Sequence, residues 1–118
     1  MKTLYLILFA ALITLSSCQR KRTVLRDRAI DTVQTVLKRT LNDPESYQAI
    51  SFGPLNPIYN DVLPGPVDSS KLHITGYTIQ HDYRAKNEFG ALMLYKQKFV
   101  LTRKLKYVEA VELETIDQ

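Results

Sequence analysis

The chain of 118 residues is poor in the residue types that build several common kinds of site. Its single cysteine excludes an internal disulfide, and with only two histidines it offers too few ligands for a four-ligand zinc centre of Cys and His. It has no glycine-rich phosphate loop and no serine in a nucleophile-elbow motif. We therefore expect no catalytic site, no metal site and no cofactor.

A long apolar segment is also missing. The longest apolar run, residues 4–15, has twelve residues, whereas a membrane-spanning helix needs about 20. Lys2 precedes this run, and a run of this length is typical of the apolar part of a signal peptide. An ordinary signal peptide has small residues at the third and first positions before the cleavage point. Here Leu15 occupies the third position before Cys18.

The sequence Leu15-Ser16-Ser17-Cys18 resembles the lipobox, the processing signal of bacterial lipoproteins. The resemblance implies that residues 1–17 are a signal peptide that is removed. It also implies that the Cys18 thiol carries a diacylglyceryl group, with an acyl chain such as palmitate on the new amino terminus. More than one acyl chain gives stable attachment, because each buried methylene contributes about 0.8 kcal/mol. We expect residues 18–23 to be the lipidated cysteine and a basic tether.

The net charge of the chain is +4, and part of this excess lies just after Cys18. The basic residues there are Arg20, Lys21, Arg22 and Arg26. They favour contact with anionic lipid head groups, each contact contributing about 1 kcal/mol near the surface. Nucleic acid is not expected as a partner, because Lys96 and Lys98 would point away from Tyr95 and Phe99 on an alternating strand.

Residues 24–118 have the length of one small domain, and the apolar fraction of the chain, 45%, is typical of a globular protein. The pattern predicts an α+β fold: one N-terminal amphipathic helix packed on a small, mainly antiparallel sheet of three to four strands. The helix should end near residue 41, since Pro44 disfavours helical geometry at the residue before it. Its apolar stripe has helical spacing and comprises Ala29, Ile30, Val33, Val36, Leu37 and Leu41.

Alternating apolar residues predict strands at residues 47–52, 72–84 and 91–102, with a bend at Gly76. Residues 105–113 are predicted as a further strand with Tyr107, Val111 and Leu113 on one face. A helix remains an alternative there, because the preceding turn contains no Gly, Asn or Pro. Residues 53–71 contain four prolines and are predicted to be neither helix nor central strand. This long segment is either a binding loop or a loop packed on the body.

The hairpin tip at residues 84–90 is the best-defined candidate binding site. Arg84, Lys86 and Asn87 would lie together there and suit a phosphate or a carboxylate. The alternative is that the charges keep the tip soluble while Asn87 forms the turn. The two histidines do not indicate a metal site, because His73 and His81 would be about 26 Å apart on an unbroken strand and could not bind one ion together. Adjacent residues of a strand point to opposite faces, so Asp82 cannot orient His81.

Two further blocks, LNDPESY at residues 41–47 and HDYRAKNEFG at residues 81–90, follow the lipobox. Together they resemble a group of small lipoproteins of Bacteroidota-type bacteria. The resemblance implies one helix on an antiparallel sheet and a Gram-negative envelope location, and it brings no site residues with it. An outer-membrane position facing the periplasm is favoured, because Gln19 and basic residues rather than acidic ones follow Cys18.

We therefore expect a non-catalytic lipoprotein of the bacterial envelope. Its domain should bind an envelope protein or serve as a structural module, through the hairpin tip, the proline-rich segment or both. The alternative is a small-molecule or anion-binding module that uses Arg84, Lys86 and Asn87.

Overall fold

The computed structural model describes the backbone of residues 2–60 and 72–117 and the side chains of residues 20–60 and 72–116. Helix α1 is Lys2–Thr40, and a short 3-10 turn follows at Pro44–Ser46. The strands are β1 (Gln48–Phe52), β2 (Asn56–Tyr59), β3 (Ile74–Lys86), β4 (Leu92–Thr102) and β5 (Tyr107–Asp117). The α+β class and the antiparallel sheet are confirmed. The prediction of three to four strands is wrong, because the described residues form five.

The additional strand, β2, lies in the proline-rich segment that we expected to be irregular. It pairs with β3 in antiparallel fashion from Asn56 to Tyr59, and β1 pairs with the other half of the same edge of β3. Between them, the Gly53 amide donates a hydrogen bond of 2.9 Å to the Gln80 carbonyl. Pro57 is tolerated because β2 is hydrogen-bonded on one side only. The binding role predicted for residues 53–71 stays a prediction, and residues 61–71 of that segment lie outside the described residues.

The apolar stripe of α1 packs on one face of the sheet, which we call the inner face. Ala29, Val33 and Leu37 are buried, and α1 ends at Thr40, close to the predicted position. The described side chains of α1 are those of residues 20–40, and the side chains that pack on the sheet are among them. The strand residues buried with the stripe are Ile79, Tyr83, Ala85, Phe99, Leu101 and Leu105.

Arg26 attaches α1 to the corner between β1 and β2. Its guanidinium donates hydrogen bonds to the Phe52 carbonyl at 2.9 Å and to the Gly53 carbonyl at 3.3 Å. The side chain is half-buried, unlike those of Arg20, Lys21 and Arg22, which are exposed. Arg26 therefore has a structural role in the body, and the prediction that it contacts lipid head groups does not fit its position.

The predicted bend at Gly76 corresponds to an irregularity in the ladder between β2 and β3. Ile58 lies opposite Gly76 and Tyr59 lies opposite Ile74, so Thr75 is the extra residue of β3. Glycine is required here because a Cβ at position 76 would lie 2.5 Å from the Leu101 carbonyl oxygen. The apolar residues before and after position 76 have opposite parity for this reason.

Residues 107–117 form a strand and not a helix, but the predicted face is wrong. Two register shifts occur against β4, one between Val100 and Leu101 and one between Lys96 and Gln97. The residues opposite the inner positions of β4 are consequently Tyr107, Ala110, Glu112, Thr115 and Asp117. Val111 lies opposite Lys98 on the outer face, and Leu113 is an extra residue at the second shift. A strict period of two cannot hold across such shifts.

The turn before β5 is closed by a leucine in a left-handed conformation. Leu105 has φ of 61° and its amide donates a hydrogen bond of 2.8 Å to the Thr102 carbonyl. Its side chain is buried in the core, and the Thr32 hydroxyl donates a hydrogen bond of 3.1 Å to its carbonyl. Packing under α1 thus fixes a conformation that glycine or asparagine usually adopts.

We expect alanine to destabilise the protein more than glycine when either replaces Leu105, which is the reverse of their usual effect. Leu105→Ala should lower the free energy of unfolding by about 3 kcal/mol through lost packing. Leu105→Gly should be less destabilising than Leu105→Ala by about 0.5 to 1 kcal/mol, because glycine relieves the left-handed strain. Urea unfolding measures both, with Leu101→Ala and Leu101→Gly as the matched pair at a buried strand position. At Leu101, glycine should destabilise the protein more than alanine. If glycine were the more destabilising residue at both positions, the left-handed conformation assigned to Leu105 would be contradicted.

Candidate functional site

The hairpin tip at residues 87–91 is organised by Asn87. The Asn87 amide donates to the Ala91 carbonyl at 2.9 Å, and the Gly90 amide donates to the Asn87 carbonyl at 3.0 Å. The Asn87 Oδ1 atom accepts hydrogen bonds from the Phe89 and Ala91 amides, both at 3.0 Å. Gly90, with φ of 78°, completes the turn. Asn87 therefore uses its side-chain oxygen to build the tip, and Phe89 is left 85% exposed at its end.

Arg84 and Lys86 are both outer-face positions of β3, but their surroundings differ. Arg84 is half-buried in the central part of the sheet, between Gln48 of β1 and Leu94 of β4. Lys86 is exposed and lies at the end of β3, where its amide donates a hydrogen bond of 2.8 Å to the Ser46 hydroxyl. Their side chains are not brought together with that of Asn87 into one pocket.

Two clefts adjoin Lys86. The first has a volume of about 330 Å³ and lies beside the 3-10 turn, where Lys86 shares the lining with Asp43 and Glu45. A phosphate or carboxylate there would face two carboxylates as well as one ammonium, so the charge does not favour an anion. Arg84 lines neither cleft.

The second cleft, which we call the groove, lies between the C-terminal half of α1 and the inner face of β4 and β5. Its volume is about 280 Å³, and Val36, Leu37, Phe99 and Ala110 give it apolar walls. Tyr83 and Tyr95 stack at 5.1 Å between ring centroids, and the Tyr83 hydroxyl donates a hydrogen bond of 2.8 Å to Gln97 Oε1. These residues form the base of the groove.

The polar atoms of the groove are largely satisfied within the protein. Burial raises the pKa of Tyr83, and burial together with the nearby Glu112 carboxylate raises the pKa of Tyr95. Both phenols are therefore neutral hydrogen-bonding groups and not nucleophiles at ordinary pH. Within the side chains described, no buried nitrogen or oxygen lacks a hydrogen-bond partner. The groove thus contains no unpartnered buried group that would indicate a ligand.

His81 is fully buried and both of its ring nitrogens are bonded. Nδ1 lies 2.8 Å from the Ser51 carbonyl oxygen and Nε2 lies 2.7 Å from the Tyr47 hydroxyl. A carbonyl oxygen only accepts, so Nδ1 carries the proton and the Tyr47 hydroxyl donates to Nε2. The imidazole also stacks on the Phe52 ring, with centroids 3.7 Å apart and planes 4° from parallel.

This environment makes His81 a structural residue. Burial lowers its pKa, although the Ser51 hydrogen bond and the Asp82 charge act in the opposite direction. Asp82 is on the outer face, as strand geometry predicts, so the two do not form a catalytic pair. His73 is exposed at the other end of the sheet, where its amide donates to Asn60 Oδ1 at 2.8 Å. In residues 20–60 and 72–116 no three metal-ligating side chains of the His, Cys, Asp or Glu types converge.

The two sequence blocks that carried the resemblance meet at this place. From residues 41–47, Tyr47 bonds His81 and Ser46 accepts from the Lys86 amide; from residues 81–90, Asn87 builds the adjoining turn. Ser46 and Tyr47 therefore join the region of the 3-10 turn to β3, and Asn87 builds the turn that follows β3. Their presence is explained by the fold without a ligand.

The most exposed apolar surface of the sheet is on β5, which sequence analysis did not identify as a site. Its exposed fractions are 53% for Val108, 47% for Val111, 47% for Leu113 and 38% for Ile116. Acidic residues alternate with these side chains, and Glu114 forms an ion pair of 2.9 Å with Lys96. The sequence pattern placed Tyr107, Val111 and Leu113 on one face, and the two register shifts interrupt that period and leave Val111 and Leu113 exposed.

The predicted membrane anchor involves residues 1–23. The side chain of Cys18 lies outside the described residues, so its lipidation stays a prediction, as do the removal of residues 1–17 and the tether at residues 18–23. In the backbone, α1 runs through all three segments. Over the described part of the chain, no helix has the length and apolarity needed to cross a membrane.

Comparisons of the chain with protein-family models, curated proteins and solved structures gave no match.

We expect His81 to make the fold sensitive to acid. An unfolded histidine binds a proton near pH 6.5, whereas the buried one does so only at lower pH. The unfolded state therefore binds more protons, and the free energy of unfolding should fall by up to about 1.4 kcal/mol per pH unit below pH 6.5.

His81→Gln retains a donor and an acceptor but does not titrate, so its urea unfolding should show a smaller loss of stability between about pH 7 and pH 5. His73→Gln makes the same substitution at the exposed histidine just before β3 and is the matched control. If the stability of the His81→Gln protein depended on pH as strongly as that of the unmodified protein, the structural role assigned to His81 would be contradicted.

Proposed function

We propose that the protein is a lipid-anchored, non-catalytic protein-binding module of the bacterial envelope. The lipobox-like residues 15–18 support the anchor, and the exposed basic residues Arg20, Lys21 and Arg22 support contact with anionic lipid. In the mature chain that we propose, Cys18 is the first residue and the packed part of α1 is the N-terminal helix. The position that best fits the residues after Cys18 is the outer membrane, facing the periplasm.

The observation that carries protein binding is the exposure of apolar side chains on β5. Val108, Val111, Leu113 and Ile116 lie along one strand, and Phe89 is exposed at the hairpin tip. Exposed apolar side chains along one strand favour a surface that a partner covers. Flat exposed side chains, rather than an enclosed polar pocket, are the pattern expected of a protein interface.

Anion binding by Arg84, Lys86 and Asn87 is supported by no specific observation. The Asn87 oxygen is bonded within the turn, and Lys86 shares its cleft with two carboxylates. Catalysis likewise has no support, since both nitrogens of the buried His81 are already hydrogen-bonded. Protein binding is therefore the function that we put forward.

We expect Cys18→Ser to release the protein from membranes, because the serine hydroxyl cannot take the thioether-linked lipid. Fractionation of cells followed by a high-salt wash measures this, and the wash removes molecules held only by basic residues. Ser17→Ala is the matched control, because it keeps a small residue beside Cys18 and should leave the protein in the membrane fraction. Retention of Cys18→Ser after the wash would show that lipidation is not the anchor.

We expect photo-cross-linking in intact cells to locate the partner surface. A photoreactive amino acid at Phe89 or at Val111 should form an adduct with an identified envelope protein, because both side chains are exposed and apolar. Lys38, exposed on the far side of α1, is the control position and should give no specific adduct. Absence of adducts from both Phe89 and Val111 would contradict protein binding.

A further inference from the structure

Strand β5 is a long edge of the sheet that has one neighbour. It has eleven residues and, of the described strands, pairs with β4 alone. The backbone amides and carbonyls that point away from β4 are thus exposed to a further strand. Two stretches keep regular register: Glu109 to Glu112 opposite Val100 to Gln97, and Glu114 to Asp117 opposite Lys96 to Met93. Each offers four consecutive residues for pairing.

Lysine and proline are two of the features by which natural edge strands discourage pairing with another chain. Residues 107–117 contain neither, and no arginine or glycine. What they contain is four acidic residues, in a chain whose net charge is +4. The edge is therefore a negative strip, and its charge has the opposite sign from that of the chain as a whole.

The negative charge is present on both faces of the edge. Glu109 lies opposite Val100 on the outer face, and Glu112 lies opposite Gln97 on the inner face. Lys96 neutralises Glu114, but within the described residues neither Glu109 nor Glu112 forms an ion pair. A strand added beside β5 would therefore have an unpaired carboxylate as a neighbour on each of its faces.

We propose that β5 binds an extended, basic segment of a partner protein, which adds to the sheet as a further strand. This inference rests on the proposed function and names the chemistry of the partner. Backbone hydrogen bonds to β5 hold the added strand, its lysine or arginine side chains pair with Glu109 and Glu112, and its apolar side chains cover Val111 and Ile116.

A second copy of the chain is the poorer occupant of the edge. Pairing of β5 with β5 would place four acidic residues of each strand in one two-stranded ribbon that contains no basic residue. Like charges on neighbouring strands are destabilising. Complementary charge therefore favours a basic strand over self-association.

The test uses the full chain, lipidated and held in zwitterionic nanodiscs, so that the lipid does not attract the probe. The probe is a fluorescent peptide of eleven residues whose lysines are three residues apart, so that they lie on both faces of an added strand, with valines between them. Its first control carries N-methyl groups on alternate amides, which remove the hydrogen bonds on one edge. Fluorescence anisotropy should show saturable binding of the peptide, and amide hydrogen exchange should slow in β5. The methylated peptide should bind at least about tenfold more weakly, since each tenfold corresponds to about 1.4 kcal/mol.

Charge reversal gives the second arm of the test. The double variant Glu109→Lys, Glu112→Lys should lose affinity for the lysine peptide by about tenfold and gain it for a glutamate peptide. The matched control is Asp27→Lys, Asp31→Lys, which makes the same change in net charge on the exposed face of α1. Equal binding of the methylated peptide, or equal loss in both double variants, would overturn strand addition.

The outcomes also separate this inference from the proposed function. Adducts from Phe89 with an envelope protein, together with no binding of the peptide, would leave a protein-binding module whose partner does not add a strand. Adducts from Val111 to a second copy of the chain would replace the basic partner with self-pairing. Loss of every adduct and of peptide binding would remove both proposals.

Discussion

The constraint on which the rest of the structure depends is that one helix covers one face of a five-stranded sheet. The stripe of Ala29, Val33 and Leu37 buries Ile79 and Phe99, which lie on the two central strands. A single stripe is not wide enough to cover all strands equally. The consequence is a body whose core is centred on β3 and β4, with an open groove toward β5 on the inner face. The exposed apolar residues Val111 and Ile116 of β5 lie on the outer face, opposite Lys98 and Leu94 and away from α1.

A second contact, centred on His81, attaches β1 and the residue after the 3-10 turn to β3. His81 is neutral and buried, and its two hydrogen bonds join Ser51 of β1 and Tyr47 of the turn region to β3. Buried polar groups are costly unless both partners are supplied, so the three residues depend on one another. The sequence blocks at residues 41–47 and 81–90 are thereby explained as the two halves of one structural contact. Features that are distinctive in a sequence are therefore not always functional, and here they identify a joint in the fold.

Sequence patterns predicted the parts of the fold in which local periodicity and packing agree. The stripe of α1, the strands β3 and β4 and the turn at Asn87 belong to this group. The patterns did not predict β2, since prolines usually mark irregular segments and Pro57 is acceptable only because β2 is hydrogen-bonded on one side. They also did not identify the αL turn at Leu105, because its cause is burial under α1 and not local propensity. The exposure of Val111 and Leu113 was missed for a related reason: register shifts are set by tertiary pairing, which a period of two cannot reveal.

The basic residues at positions 20–22 and the acidic residues of β5 lie in different parts of the chain, and their positions affect which strand can pair with β5. The chain itself has a basic cluster at Arg20, Lys21 and Arg22, which has the sign that the acidic edge selects. That cluster lies within α1, where the backbone hydrogen bonds are made inside the helix and are not available to a strand. Helix formation thus prevents this basic segment of a neighbouring copy from pairing as a strand, while the carboxylates of β5 oppose self-pairing. Both effects act against wrong partners and leave an extended basic segment of another protein as the complementary one.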